Sequence, residues 1–300
     1  MRLIKPSFEI LEQEPGIQGI YKQIERAGRT CYKSEDRITE DSAEKFVNMI
    51  KDRQHTAMLE HGTVYLSCSD AEFIYLGLRY ECNNYSNVVW EEFAPGHRTK
   101  VYITTNYRVL YENNWLDDLK YLCEPTEYHE KRITVKFICD RGVSHEFVRH
   151  RVFSFAQEST RYCNYSKDKF GNELTFIIPY WTNIPEGQSY WHDGIGYRVG
   201  ADIQNKDFGY IEKSPNYFNF LSSLEESEKC YLRLLNEGWT PQQARSVLPN
   251  SLKTELVMTG TLEQWKGFFK LRCDAAAHPQ ARELAIPLKE EFKKLHYIND

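Results

Sequence analysis

Arg149-His150-Arg151, then Ser154, then Gln157-Glu158-Ser159-Thr160-Arg161, concentrates three arginines, a histidine and three hydroxyls within thirteen residues. Guanidinium forks are planar and permanently charged, so they suit phosphate bidentately, and nearby hydroxyls complete an oxygen shell. The run points to an anion, although the same residues also fit a surface of salt-bridging arginines. On a helix Arg149 and Arg151 would diverge by about 200°, which assigns them to different groups or different subunits. No cysteine falls inside the run, and the nearest, Cys163, reads as a packing residue rather than an activated nucleophile.

The flanking segments must position this run. A strand over Arg132 to Cys139, with Ile133, Val135, Phe137 and Cys139 on one face, leads into the turn Asp140-Arg141-Gly142. Ser144 reads as an N-cap, so a helix is expected from His145 to about Phe153, carrying the first arginines. Earlier, Asp41 with Glu44 forms a capping-box pattern for a helix over 41–53, with Phe46, Val47 and Ile50 as its apolar stripe. A strand from Gly62 to Cys68 follows, then a helix after Asp70 and a β-rich run from Lys100 to Glu112. Trp181 to Lys213 has no steady period and reads as a long excursion able to cover a site; its Trp181, Tyr190, Trp191 and Tyr197 suit either loop packing or ring stacking. A helix over Tyr217 to Asn236, a short one opened by Thr240-Pro241, another capped by Thr261 and Gln264, and a last one from Pro279 complete the chain. In that last helix Ala281, Leu284, Ala285, Leu288, Phe292 and Leu295 share one face. These elements predict an α+β fold, with helices packed on a largely antiparallel sheet in a single domain with insertions at about 70–130 and 181–213.

Composition narrows the partners. The 300 residues are 41% apolar and 14% aromatic, enough for a substantial core, and a formal charge of -5 argues against a broad grip on nucleic acid. No stretch is apolar for long enough to span a membrane or to serve as a secretory leader, so a cytoplasmic location is expected. The eight cysteines form no CxxC pair, which speaks for reduced thiols and against a bound metal.

The spacing of Arg149, His150, Arg151, Ser154, Ser159 and Arg161 closely resembles the RHRxxSxNxxSxR signature of the flavin-dependent thymidylate synthases, with Ala156 at the asparagine position and Gln157 where glutamate is common. Three further stretches resemble elements of that family in the same order: Leu59-Glu60-His61-Gly62-Thr63; Ala244-Arg245-Ser246-Val247-Leu248-Pro249; and Phe269-Lys270-Leu271-Arg272 followed by His278-Pro279-Gln280. The resemblance implies a homotetramer with active sites shared between subunits, spanning residues 1–300. It implies reductive methylation of dUMP to dTMP, with 5,10-methylenetetrahydrofolate as carbon donor and FAD reduced by NADPH. By the same resemblance His61, Thr63, Arg149, His150, Arg151, Gln157 and His278 meet the FAD. Glu146, Arg149, Gln157, Glu158, Ser159, Thr160, Arg161, Arg245 and Arg272 meet the nucleotide, and Arg272 favours the ionised N3 of uracil, which makes a cysteine nucleophile unnecessary. No GxGxxG or P-loop is present, so FAD would rest on side chains, aromatic surfaces and helix ends. A related enzyme that hydroxymethylates or methylates another pyrimidine nucleotide, and a non-catalytic nucleotide- or RNA-binding protein, fit the same residues.

Overall fold

The computed structural model describes residues 1–186, 188–192, 197–200, 209–210 and 215–299. In chain order the elements are β1 (Arg2–Ile4), β2 (Ser7–Leu11), α1 (Gly16–Tyr32), α2 (Ser42–Asp52), β3 (Thr63–Cys68), α3 (Phe73–Glu81), β4 (Asn87–Ala94), β5 (His97–Asn106) and α4 (Tyr107–Glu112). They continue with β6 (Arg132–Asp140), α5 (Arg141–Phe147), β7 (Ser154–Gln157), β8 (Thr175–Ile177), β9 (Gln188–His192), β10 (Tyr197–Gly200) and β11 (Gly209–Tyr210). The last part holds α6 (Pro215–Asn236), α7 (Pro241–Ala244), β12 (Lys253–Thr261), α8 (Leu262–Arg272) and α9 (Pro279–Lys294).

The fold is mixed helix and sheet, as its α+β patterning predicts, but among the described residues the strands form three sheets rather than one. Their orders are β11-β10-β9-β1-β8, β2-β6-β12-β7 and β3-β5-β4, and every pairing is antiparallel except β1 with β8. The four-stranded sheet is the frame of the site. Its strand β12 pairs with β6 along its whole length, from Lys253↔Asp140 to Thr261↔Arg132, and with β7 from Leu256↔Gln157 to Thr259↔Ser154.

Alternation along these strands sends Val135, Phe137, Leu256 and Met258 into a core with Phe147 of α5, Phe268 and Phe269 of α8 and Leu284, Leu288 and Phe292 of α9. Trp265 closes this core, wholly buried, with Nε1 donating to the Ile133 carbonyl at 3.1 Å. Burying one such aromatic or aliphatic side chain contributes roughly 1.5–3 kcal/mol, so this face fixes α5, α8 and α9 on the sheet. On the opposite face Ala156 and Val257 pack against Ala27 of α1. Gly260 in β12 permits a close approach, since a Cβ there would sit 2.5 Å from the Phe153 ring and 2.8 Å from Gln264 Oε1.

The expected helix over 41–53 is α2, with Phe46, Val47 and Ile50 buried, but Asp41 makes no side-chain cap bond; Ser42 Oγ instead donates to Glu25 and to the Thr39 carbonyl. The β-rich run over 100–112 ends at Asn106, because the Asn106 side chain accepts from Val109 N and starts α4. Segment 70–130 builds the three-stranded sheet with β3 and shares a core with α1 and α2, through Ile20, Ile24, Val47 and Ile50 against Leu76, Tyr80, Val101 and Ile103. Most of the stretch over 181–213 lies outside the described residues, as do the side chains of Tyr190 and Trp191; β9, β10 and β11 are its described strands, and Tyr197 is buried with its hydroxyl donating to Glu225.

Candidate active site

The arginine run occupies a turn and an edge strand, where a helix to Phe153 is expected from sequence. Asp140, rather than Ser144, is the N-cap of α5, its Oδ1 accepting from Val143 N at 2.7 Å, so the helix starts four residues earlier than Ser144 alone suggests and stops at Phe147. Backbone bonds from His150 N to Phe147 O and from Phe153 N to His150 O then fold 148–153 into turns, and β7 follows. Arg149 and Arg151 are therefore displayed by a turn, both exposed, and the helical divergence angle does not apply to them.

Beneath that turn, Arg272 at the end of α8 is held on three sides. Its Nε donates to His150 Nε2 at 2.9 Å, Nη1 to Glu146 Oε2 at 2.7 Å and Nη2 to the Glu146 carbonyl at 2.5 Å. Arginine has no acceptor, so His150 Nε2 must be the accepting nitrogen and the ring is neutral with its proton on Nδ1. Burial, reinforced by the Arg272 charge, pushes the His150 pKa down to about 4, which keeps that tautomer at neutral pH. Three of the five guanidinium N–H groups are thus committed, and two remain for a ligand.

Along β7 the outcome is divided. Gln157 points to the α5 face, where its Nε2 donates to Ser144 Oγ at 2.8 Å and to Thr254 Oγ1 at 3.3 Å. Glu158 is turned inward and 2% exposed, accepting from Tyr165 Oη at 2.9 Å and pairing with Lys253 at 2.8 Å. Past it, Ser159 Oγ accepts from Arg161 N at 3.3 Å, and Thr160 Oγ1 accepts from Arg245 Nη1 at 3.3 Å. Arg161 and Arg245 are exposed. Among the described residues none of Arg149, Arg151, Arg161 and Arg245 has a carboxylate partner.

His61 and Thr63 lie on the other side of the sheet. His61 is fully buried, its Nδ1 2.8 Å from Thr259 Oγ1, while Nε2 has no hydrogen-bond partner. Burial, with the Arg132 charge adding to it, pushes its pKa down to about 3. Thr63 N donates to Gln13 at 2.8 Å, and its hydroxyl accepts from Arg132 at 3.3 Å. Within one chain, then, Glu146, His150 and Arg272 come together and Thr160 meets Arg245, whereas His61 and Thr63 are separated from them by the sheet. His278 is exposed, with its ring 6.0 Å from that of Trp181, and the adjoining Gln280 donates to Asp140 Oδ2 at 2.6 Å.

Burial, together with the Glu158 charge, pushes the Cys163 thiol up to about 12, which makes it a poor nucleophile. Sequence reasoning places Glu146 and Arg272 at the substrate but misses their mutual ion pair, and it misses the partly buried lysines around Glu255 altogether. Lys33, Lys136 and Lys253 all reach the Glu255 carboxylate, at 2.6, 2.5 and 2.5 Å. Four charges spread over the end of α1 at Lys33, β6 and β12 leave no local spacing to read. Among the described residues no helix is long and apolar enough to cross a membrane, and no cluster of metal-ligating side chains occurs.

The family described as thymidylate synthase complementing protein matches residues 125–296. Enzymes named flavin-dependent thymidylate synthase are similar over part of the chain. The one from Pyrococcus furiosus is 29% identical over 156 residues, covering 52% of each chain. The one from Corynebacterium efficiens is 32% identical over 156 residues, covering 51% of this chain and 54% of that one. The Synechocystis enzyme is 26% identical over 167 residues, covering 54% and 66%. The alignments span about half the length of the first of these relatives. Among solved structures, a UMP/dUMP methylase, PolB from Streptomyces cacaoi bound with 5-Br dUMP, superposes with a TM-score of 0.42 at 17% identity, over 98% of this chain and 93% of that one.

Proposed function

Because this chain belongs to the thymidylate synthase complementing protein family, we propose that it is a flavin-dependent thymidylate synthase that methylates dUMP to dTMP. The observation that carries the proposal is the Glu146–Arg272–His150 constellation beneath a rim of arginines without carboxylate partners. Clustered cations of one sign create a positive potential that attracts anions, and a nucleotide phosphate with a dinucleotide cofactor supplies several.

In this reading Arg161, Ser159 and Arg245 take the substrate phosphate, with Thr160 orienting Arg245 and Glu158 anchoring the loop from below. Arg272 presents its two remaining N–H groups to the pyrimidine and stabilises negative charge at N3, which makes C5 nucleophilic without a thiol. Glu146 and the neutral His150 hold that guanidinium in one orientation, so little reorganisation is needed as charge develops.

The residues present suit FAD: Arg149 and Arg151 are exposed cations without a carboxylate partner among the described residues, and the buried His61 has an orphaned ring nitrogen. When bound, reduced FAD, regenerated by NADPH, supplies the hydride, and methylenetetrahydrofolate supplies the carbon. The sheet stands between His61 with Thr63 and the Arg272 cluster, which favours a homotetramer whose sites draw on more than one copy.

The test is to incubate the reduced, flavin-loaded enzyme with dUMP and methylenetetrahydrofolate and weigh the product. A mass gain of one CH2 unit, a methyl group replacing the C5 hydrogen, supports thymidylate formation. A hydroxymethyl product, or none, refutes it.

A further inference from the structure

A cavity of about 280 Å³ lies between the β2–α1 connection, the start of β6 and the segment 122–125. Its walls are pinned by hydrogen bonds. The Gln13 amide pairs with Thr63 as a strand would, Nε2 donating to the Thr63 carbonyl at 2.9 Å and Oε1 accepting from Thr63 N at 2.8 Å, and Cys123 N donates to the Tyr65 carbonyl at 3.0 Å. Space held open in this way is organised before any ligand arrives.

One buried polar atom there has no partner. Gln23, 2% exposed, commits Nε2 to the Leu11 carbonyl at 3.0 Å, and that bond fixes which arm of the amide is oxygen. The other arm, Oε1, is an acceptor without a donor. A buried acceptor left unmatched is costly, and a ligand O–H or N–H would relieve it. Around it the lining is apolar at Ile10, Ile20 and Leu122 and aromatic at Tyr65 and Tyr297.

The mouth is acidic. Glu14 is matched by Lys22 at 2.7 Å, whereas Glu12 and Glu124, both exposed, have no ion pair among the described residues. Two cations also line the cavity. The Arg132 guanidinium is turned to the carbonyls of Glu60 and Thr105 and to the Thr63 hydroxyl, and the Lys131 ammonium sits over the Tyr297 ring, 3.8 Å from its centroid. Lys131 can match at most one of the two free carboxylates.

We infer that this cavity binds a small amphipathic amine, with a neutral donor at one end for Gln23 Oε1, an apolar body against Ile20 and Leu122, and an ammonium group at the other end for Glu12 and Glu124. The orientation follows from desolvation: an ammonium on the floor would exchange its hydration for a single amide oxygen, so the charge stays at the mouth. The volume falls just below the usual range for drug-sized ligands, about 300–1,000 Å³, which admits a single-ring amine and excludes a dinucleotide or a folate. Nothing in the assignment depends on the proposed methylation.

Tyramine carries all three parts, phenethylamine lacks the donor and 4-ethylphenol lacks the charge. Titration calorimetry of the whole chain is expected to show tyramine binding, phenethylamine at least about tenfold weaker and 4-ethylphenol about fivefold weaker. Glu12→Gln combined with Glu124→Gln should weaken tyramine about fivefold and leave 4-ethylphenol unchanged. Gln23→Met, which keeps the side-chain length but removes the acceptor, should abolish the preference for tyramine over phenethylamine. It also removes the bond to Leu11, so its melting temperature is measured alongside, and the double glutamate variant carries the test alone should it unfold. No binding of tyramine, equal binding of the three compounds, or unchanged preferences in the folded variants overturns the site.

Discussion

Two groups of positive charge flank the strand β12, and they are treated in opposite ways. Lys33, Lys136 and Lys253 are turned inward and converge on Glu255 and Glu158, both nearly buried. Arg149, Arg151, Arg161 and Arg245 are turned outward, with no carboxylate among the described residues to meet them. The first group is matched inside the protein, with Glu35 as its third carboxylate, and belongs to the fold; the second is open to a charge from outside. Arg272 stands between the two cases, paired with Glu146 yet keeping two N–H groups.

The contrast is most sharply tested at Arg272. Arg272→Ala is predicted to lower kcat/KM about a thousandfold, roughly 4 kcal/mol, with circular dichroism unchanged; retention of activity would remove Arg272 from the site. Next, Glu255→Gln is predicted to cost about 3 kcal/mol of stability in urea unfolding, because three partly buried ammonium groups lose their shared, buried partner. Burial disfavours the Glu255 carboxylate, but Lys253, Lys33 and Lys136 outweigh it and hold the group below the usual range, so this contribution is present at neutral pH and lost in strong acid. An active-site effect without loss of stability would contradict the assignment of that cluster to the fold.

Arg161→Ala should raise KM for dUMP about thirtyfold, close to 2 kcal/mol, and leave the urea midpoint alone; the reverse pattern would make the outward arginines structural. His61 gives a pH test of similar size. Its folded pKa of about 3 lies below its ordinary value of 6.5, so the unfolded chain binds the extra proton and stability falls as pH drops from about 6.5 toward 3. At pH 4.5 the loss is on the order of 3 kcal/mol, and His61→Gln should flatten the stability profile over that range. The smallest effect is expected for Cys163→Ala, whose turnover should stay within about twofold of the parent, since a thiol held near 12 supplies no thiolate; loss of turnover with folding intact would restore a thiol mechanism.

Sequence periodicity reads β3, β6, α2 and α9 because each buries one face. The strand β12 escapes it because Leu256, Val257 and Met258 are buried on both faces, leaving no alternation to detect. The helix α1 contains Gly19 and Gly28, which weaken its helical signal; the reason for Gly28 is tertiary, since a Cβ there would lie 2.5 Å from the Phe46 ring. The helix before the arginine run is misplaced because Asp140 and Ser144 are both plausible caps by residue type, and the backbone bonds of Arg141 N to Asn250 O and Leu252 O, distant in sequence, favour the earlier start. Leu295, expected on the buried face of α9, lies past its end and is 38% exposed. The chemical residues of the turn are legible as a list, whereas their pairing through Arg272 depends on a contact 126 positions apart.

Gly260 has no side chain to offer a ligand, yet it determines how near the Arg151 turn can sit to the sheet. A saturation library should find position 260 as intolerant of exchange as the arginines themselves, because even alanine there drives the Phe153 ring outward and takes the turn with it. Tolerance to substitution in this molecule will therefore not map onto distance from the chemistry, and an engineer seeking to widen the cavity beside that turn has Phe153 as the residue to shorten.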